Sequence, residues 1–129
     1  FLNTIDLNAD NTLLLVACEL GAYQDAYFIY QLNSSKKRMR RLLVETPEES
    51  NGKWSFEVSP LVWGRIWKAD NTAETLEITY LSSASGMCGH RSFYLIDAFV
   101  ASGVAKPDRA FGDSNCENGV RVEQWPSIK

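Results

Sequence analysis

Hydrophobic side chains in this chain recur every second residue rather than at the roughly 3.6-residue period of a helix. Lys53–Val58, KWSFEV, alternates so that Trp54, Phe56 and Val58 share one face. Thr75–Leu81, TLEITYL, puts Leu76, Ile78 and Tyr80 inward and Glu77 and Thr79 outward. Thr12–Glu19, TLLLVACE, is a near-continuous apolar run that reads as a strand buried on both faces. Asp25–Leu32, Arg40–Glu45, Leu61–Lys68 (with Gly64 as a bulge), His90–Val100 and Val120–Trp125 complete the strand candidates. Turn chemistry separates them: LNSSKKRM, PEESNG over Pro47–Gly52, ADNTAE, SSASG and the long SGVAKPDRAFGDSN. The expectation is an all-β fold of seven or eight short strands. It takes the form of a mainly antiparallel meander, sandwich or partly closed barrel, with at most one or two short helices, in SPLVWGRIW or GVAKPDRAFG.

At 129 residues the chain suits one β-rich domain spanning 1–129. Hydrophobic residues make up 45%, and six Phe, five Tyr and four Trp supply large side chains for a core, which argues against disorder. The net charge of −3 does not suggest a nucleic-acid binder. The chain has no run of about 18 apolar residues, so no spanning helix is expected. It opens at Phe1 with neither a basic n-region nor an apolar h-region, which reads as a mature or trimmed product of a longer protein.

Three cysteines allow at most one internal disulfide, with three pairings. Cys88 and Cys116 sit in Gly/Ser/Asn-rich turn chemistry, and Cys18 sits inside an apolar run. The pairing Cys88–Cys116 is expected, with Cys18 a small buried hydrophobe. Such a bond implies an oxidising compartment.

The stretch GMCGHRSFYL, Gly86–Leu95, holds Cys88 two residues before the only histidine, His90. Positions i and i+2 of a strand share a face, so the two could act as a nucleophile and its base in a cysteine-dependent hydrolase or transferase. The plainer reading is a disulfide cysteine in a glycine-rich turn beside a partly exposed histidine. One histidine and three scattered cysteines, without C-x-x-C or H-x-x-H spacing, make no zinc signature, and no metal or cofactor is expected. PEESNG and DSNCENG are oxygen-rich but lack calcium-loop spacing, and read as solvated turns. KKRMRR gathers Lys36, Lys37, Arg38, Arg40 and Arg41, five of the chain's 13 basic residues. It reads as a solvated hairpin tip with edge protection, or as a contact for an anionic partner.

Three stretches, Leu13–Tyr30 (LLLVACELGAYQDAYFIY), Gly86–Phe99 (GMCGHRSFYLIDAF) and Cys116–Pro126 (CENGVRVEQWP), together resemble a known family. It is the C-terminal part of the bacterial exported proteins catalogued as domain of unknown function 1176. The shared order is an apolar strand ending in Cys and then Gly-Ala-Tyr, a Cys-Gly turn into an aromatic strand, and a Cys before Trp-Pro. The sequence departs where the family has an aromatic-Asp-Gly turn; here YLIDAFVASG runs through. The resemblance implies export, with a periplasmic or secreted location, and carries over no catalytic residue.

Taken together, these features point to a non-catalytic binding or interaction domain of an exported bacterial protein. Its partner would be another protein or an anionic envelope component. The expected contact surface is the basic cluster with Tyr23, Tyr27 and Tyr30, since that strand is aromatic beyond core need. A variant of this reading is an inhibitor or immunity-type protein that blocks an envelope enzyme; rigidity would suit it by lowering the ordering cost of binding.

Overall fold

The computed structural model describes residues 2–22, 24–69, 75–83 and 85–129. Among these residues, eleven strands and one short α-helix form two antiparallel layers, with a single parallel pair. The all-β expectation holds, and the sheets do not close into a barrel. Among the described residues no helix is long and apolar enough to cross a membrane.

The first layer begins as a meander of β1 (Leu2–Asp6), β2 (Asn11–Leu20) and β3 (Asp25–Asn33), followed by the short hairpin strand β4 (Arg38–Arg41). The chain then changes layers at Leu42. Its N–H still donates to the Ile29 carbonyl (2.8 Å), whereas the next N–H, of Leu43, donates to Gly103 (2.9 Å). The second layer is the hairpin β5 (Leu43–Ser50) and β6 (Lys53–Ser59), extended by β10 (Val104–Ala105) running parallel to β5. Past Pro60 the chain rejoins the first layer. β7 (Leu61–Lys68) pairs with β3 through its first half and with β8 (Thr75–Leu81) through its second. β9 (Gly89–Leu95), α1 (Ile96–Ala101) and β11 (Arg109–Asp113) follow, giving the order β1-β2-β3-β7-β8-β9-β11 with β4 beside β3.

The core lies between the layers. Leu13, Leu15, Ile29, Val62, Leu76, Ile78 and Tyr94 from the large sheet join Val44 and Ala105 from the small one, with Leu42 at the crossing between them. Tyr94 drives its hydroxyl through this contact to donate to the Glu45 carbonyl (2.7 Å), which satisfies a buried polar group without leaving the core. α1 adds Ile96 and Phe99, the latter edge-on to Tyr94 at 5.4 Å.

Several expectations need correction. β2 is not buried on both faces: Leu13 and Leu15 are buried while Leu14 and Val16 are half exposed. Pro47–Gly52 is not a loop. β5 continues to Ser50 with Pro47 buried, and the turn shrinks to Asn51–Gly52, both at positive φ. Proline is tolerated because β10 covers β5 only at Leu43 and Val44, so β5 is an edge beyond that point and no ladder bond is lost there. His90–Val100 is not one strand, since Ile96–Ala101 is helical. The spacing of Ile96, Phe99 and Val100 is a helical face written in β-forming residues. Neither SPLVWGRIW nor GVAKPDRAFG forms a helix. Val120–Trp125 is a single 3-10 turn over Val122–Gln124, and Ser127 bridges to Phe111 on the β11 edge. Glu77 and Thr79 point away from the main core yet are buried. Arg91 of β9 pairs with Glu77 at 3.1 Å, Thr79 also hydrogen-bonds it, and residues 121–123 lie beside them. The ADNTAE turn falls largely on residues 70–74, outside the described residues.

Cys88 and Cys116 are bonded, as expected, with Cα atoms 4.7 Å apart and a separation of 28 residues. Cys18 is a free thiol but exposed rather than buried, because the β2–β3 register shifts between Ala17 and Glu19 and turns Cys18 outward.

Two outcomes test this architecture. Leu13→Ala should lower unfolding free energy in urea by about 3 kcal/mol, since Leu13 has no exposed surface. The native protein should show one reactive thiol, that of Cys18; reduction should add two and cost about 3.5 kcal/mol of stability.

Candidate functional site

The two layers do not stay in contact along their whole length. Beyond the aliphatic core, the β5–β6 hairpin and the β7–β8–β9 surface separate around a cleft of about 450 Å³. Its walls are aromatic: Trp54 comes from β6, Trp63 from β7, Tyr80 from β8 and His90 from β9, while Glu48 and Glu49 of β5 stand at the rim.

Register explains why these rings meet. Tyr80 and His90 are directly opposed in the β8–β9 ladder, so their rings stack at 5.1 Å between centroids and 19° between planes. Trp54 meets His90 edge-on at 6.0 Å and 87°. His90 is also opposed to Gly112 of β11. A Cβ on Gly112 would lie 2.7 Å from the Trp54 ring, so the indole seat exists because that residue has no side chain. Gly89 carries φ +140°, and a side chain there would strike the Tyr80 carbonyl, so the strand enters the site on a glycine.

The environment of the cleft changes the chemistry of His90 strongly. It is nine-tenths buried, and its Nδ1 has no hydrogen-bond partner among the described residues. Burial penalises the imidazolium and pulls the pKa from 6.5 to about 4, leaving an uncharged ring at neutral pH. Glu48 moves the other way: partial burial, then repulsion from Glu57, raises its carboxyl above the ordinary value. The Tyr94 hydroxyl behind the site is likewise pushed well up, chiefly by burial.

Cys88 sits immediately before Gly89, but its sulfur is bonded to Cys116. It therefore has no thiolate to offer, and the expected runner-up pair of nucleophile and base is not present in this state. No group of three or more His, Cys, Asp or Glu side chains is arranged for a metal ion among the described residues.

The residues expected to form a contact surface are not gathered in one place. Lys36, Lys37 and Arg38 are exposed at the β3–β4 turn. Arg40 is occupied: its Nε donates to Gln31 (2.8 Å), and one Nη donates to the Val100 and Ser102 carbonyls (2.9 and 3.0 Å), closing the C-terminal end of α1. Arg41 lies over the Phe28 ring at 4.2 Å. Tyr27 packs against the core, whereas Tyr30, three positions on, faces the other side of the strand opposite Arg41. Tyr23 lies outside the described residues. Of the cleft, sequence reasoning singled out His90 alone. Trp54 reads as core, and Glu48 and Glu49 as part of a turn. An acidic run next to an alternating Trp strand was the available signal, but the sequence does not state which strand faces that hairpin.

No protein-family model matches the chain, and neither a curated protein nor a solved structure matches it.

The buried histidine makes a prediction about acid stability. Its proton is held more weakly in the fold than in the unfolded chain, so its contribution is complete above pH 6.5 and is lost as pH falls toward 4. Between those values wild type should lose about 3 kcal/mol more than a His90→Phe variant in urea unfolding.

Proposed function

We propose that this chain is a non-catalytic binding domain of an exported protein and that it takes its ligand in the aromatic cleft between the layers. The observation that carries this reading is the cleft itself, an opening of about 450 Å³ walled by Trp54, Trp63, Tyr80 and His90. Pockets that hold small molecules or single side chains run from roughly 300 to 1,000 Å³, with aromatic walls and a few polar groups. The walls are fixed before any ligand arrives, by the Tyr80–His90 stack, the Gly112 seat and the nearby disulfide. Preorganisation of that kind lowers the ordering cost of binding. The disulfide favours an oxidising compartment, and the family resemblance adds the bacterial envelope. The partner in this reading is another protein, one of whose side chains enters the cleft. An envelope enzyme blocked in this way is the inhibitor form of the same proposal.

A second surface has an observation of its own. Lys36, Lys37 and Arg38 are exposed and make no ion pair among the described residues, which suits an anionic envelope component. One experiment separates the two. Wild type, Trp63→Ala and a Lys36→Ser/Lys37→Ser/Arg38→Ser triple variant are used as bait against envelope extract, after thermal unfolding has shown all three folded. The cleft reading expects the specific partner to be lost from Trp63→Ala and kept by the triple variant. The reverse pattern would move the function to the hairpin.

A further inference from the structure

We infer that the cleft selects a cationic nitrogen group, an ammonium or guanidinium, presented on a free organic cation or on a Lys or Arg side chain. The inference rests on the cleft being the ligand site and adds the chemistry of what enters it. Three independent features converge. The walls include the rings of Trp54, Trp63 and Tyr80, and aromatic rings attract cations through their quadrupole. The rim carries Glu48 and Glu49, neither of which has a basic partner among the described residues. The cleft lining contains no Lys or Arg among the described residues. The chain's seven arginines are placed elsewhere: Arg65, Arg91 and Arg121 line a separate depression, Arg40 and Arg41 are tied to α1 and Phe28, Arg38 is exposed on β4, and Arg109 lies over Phe93.

His90 fits the same assignment. A histidine that gained a proton at neutral pH would repel a cation from the wall of the site. Here the ring is nine-tenths buried between Tyr80 and Trp54 and presents an uncharged aromatic surface. Glu48 adds a motive for binding. Partial burial and then repulsion from Glu57 both disfavour its charge, and a cation seated beside Glu48 offsets both.

The test uses the indole N–H signals of Trp54 and Trp63 in the intact, oxidised protein. Four probes are titrated: choline; N-acetyl-arginine amide; 3,3-dimethylbutan-1-ol, the uncharged carbon isostere of choline; and methyl β-glucoside, a neutral ligand that also suits aromatic walls. The expected result is saturable shifts with at least one cation, at least about tenfold tighter than with the isostere. A Glu48→Gln/Glu49→Gln variant, with an unchanged unfolding midpoint, should weaken that binding by about tenfold as well. Choline binding would point to a free organic cation, and binding of the arginine amide alone to a partner's side chain. The inference is overturned if the isostere binds as tightly as choline, if the double variant keeps full affinity, or if neither cation shifts the signals. Shifts with the glucoside alone would overturn the cationic assignment and leave the binding cleft standing. Silence with all four probes, together with unchanged capture by Trp63→Ala, would remove both.

Discussion

Everything distinctive in this molecule depends on how β5 sits across the large sheet. Leu42 and Val44 share one buried core with Leu76, Ile78 and Tyr94, and the Tyr94 hydroxyl donates to the Glu45 carbonyl. Burial of side chains such as these is worth about 1.5–3 kcal/mol each, which makes this patch the main source of adhesion between the layers. Its position sets where the hairpin beyond Thr46 must go. The same strand that supplies the core at Val44 supplies the rim carboxylates at Glu48 and Glu49.

The cleft follows from a change of side-chain type along paired strands. In β8 and β9 the cross-strand pairs run Leu76 with Tyr94, Ile78 with Ser92, then Tyr80 with His90. The first two pairs close against β5, and the third is too large and flat to do so. Trp54 comes down on Gly112 beside it, and the space between layers opens. The disulfide holds the start of β9 from the other side. Cys88 is thus part of the scaffold of the site, with its sulfur held in the bond to Cys116.

The fold class was legible because alternation in KWSFEV and TLEITYL is a local property, and local properties survive without knowledge of neighbours. The disulfide was legible for a similar reason, since turn residues around Cys88 and Cys116 mark positions free to pair. What misled were residues whose role is decided by a distant partner. Pro47 is in a strand because its outer edge is unpaired. Ile96–Ala101 is a helix because its apolar spacing packs on the core end. Glu77 is buried because Arg91 meets it there. The cleft belongs to this second kind. His90 stood out as the only histidine, but Trp54, Trp63 and Tyr80 read as core until strands distant in sequence are laid together. The basic cluster shows the reverse error: five charges adjacent in sequence divide into a solvated tip and two arginines engaged with α1 and Phe28.

The central claim is that the layers part around an aromatic site with a buried, uncharged histidine in its wall. Because the chain has one histidine, NMR titration of its ring signals reads that wall directly. The account predicts shifts that stay flat from pH 8 down to about 5.5, with a midpoint near 4. A midpoint near 6.5 would place His90 in water and contradict the packed aromatic wall from which the binding proposal starts.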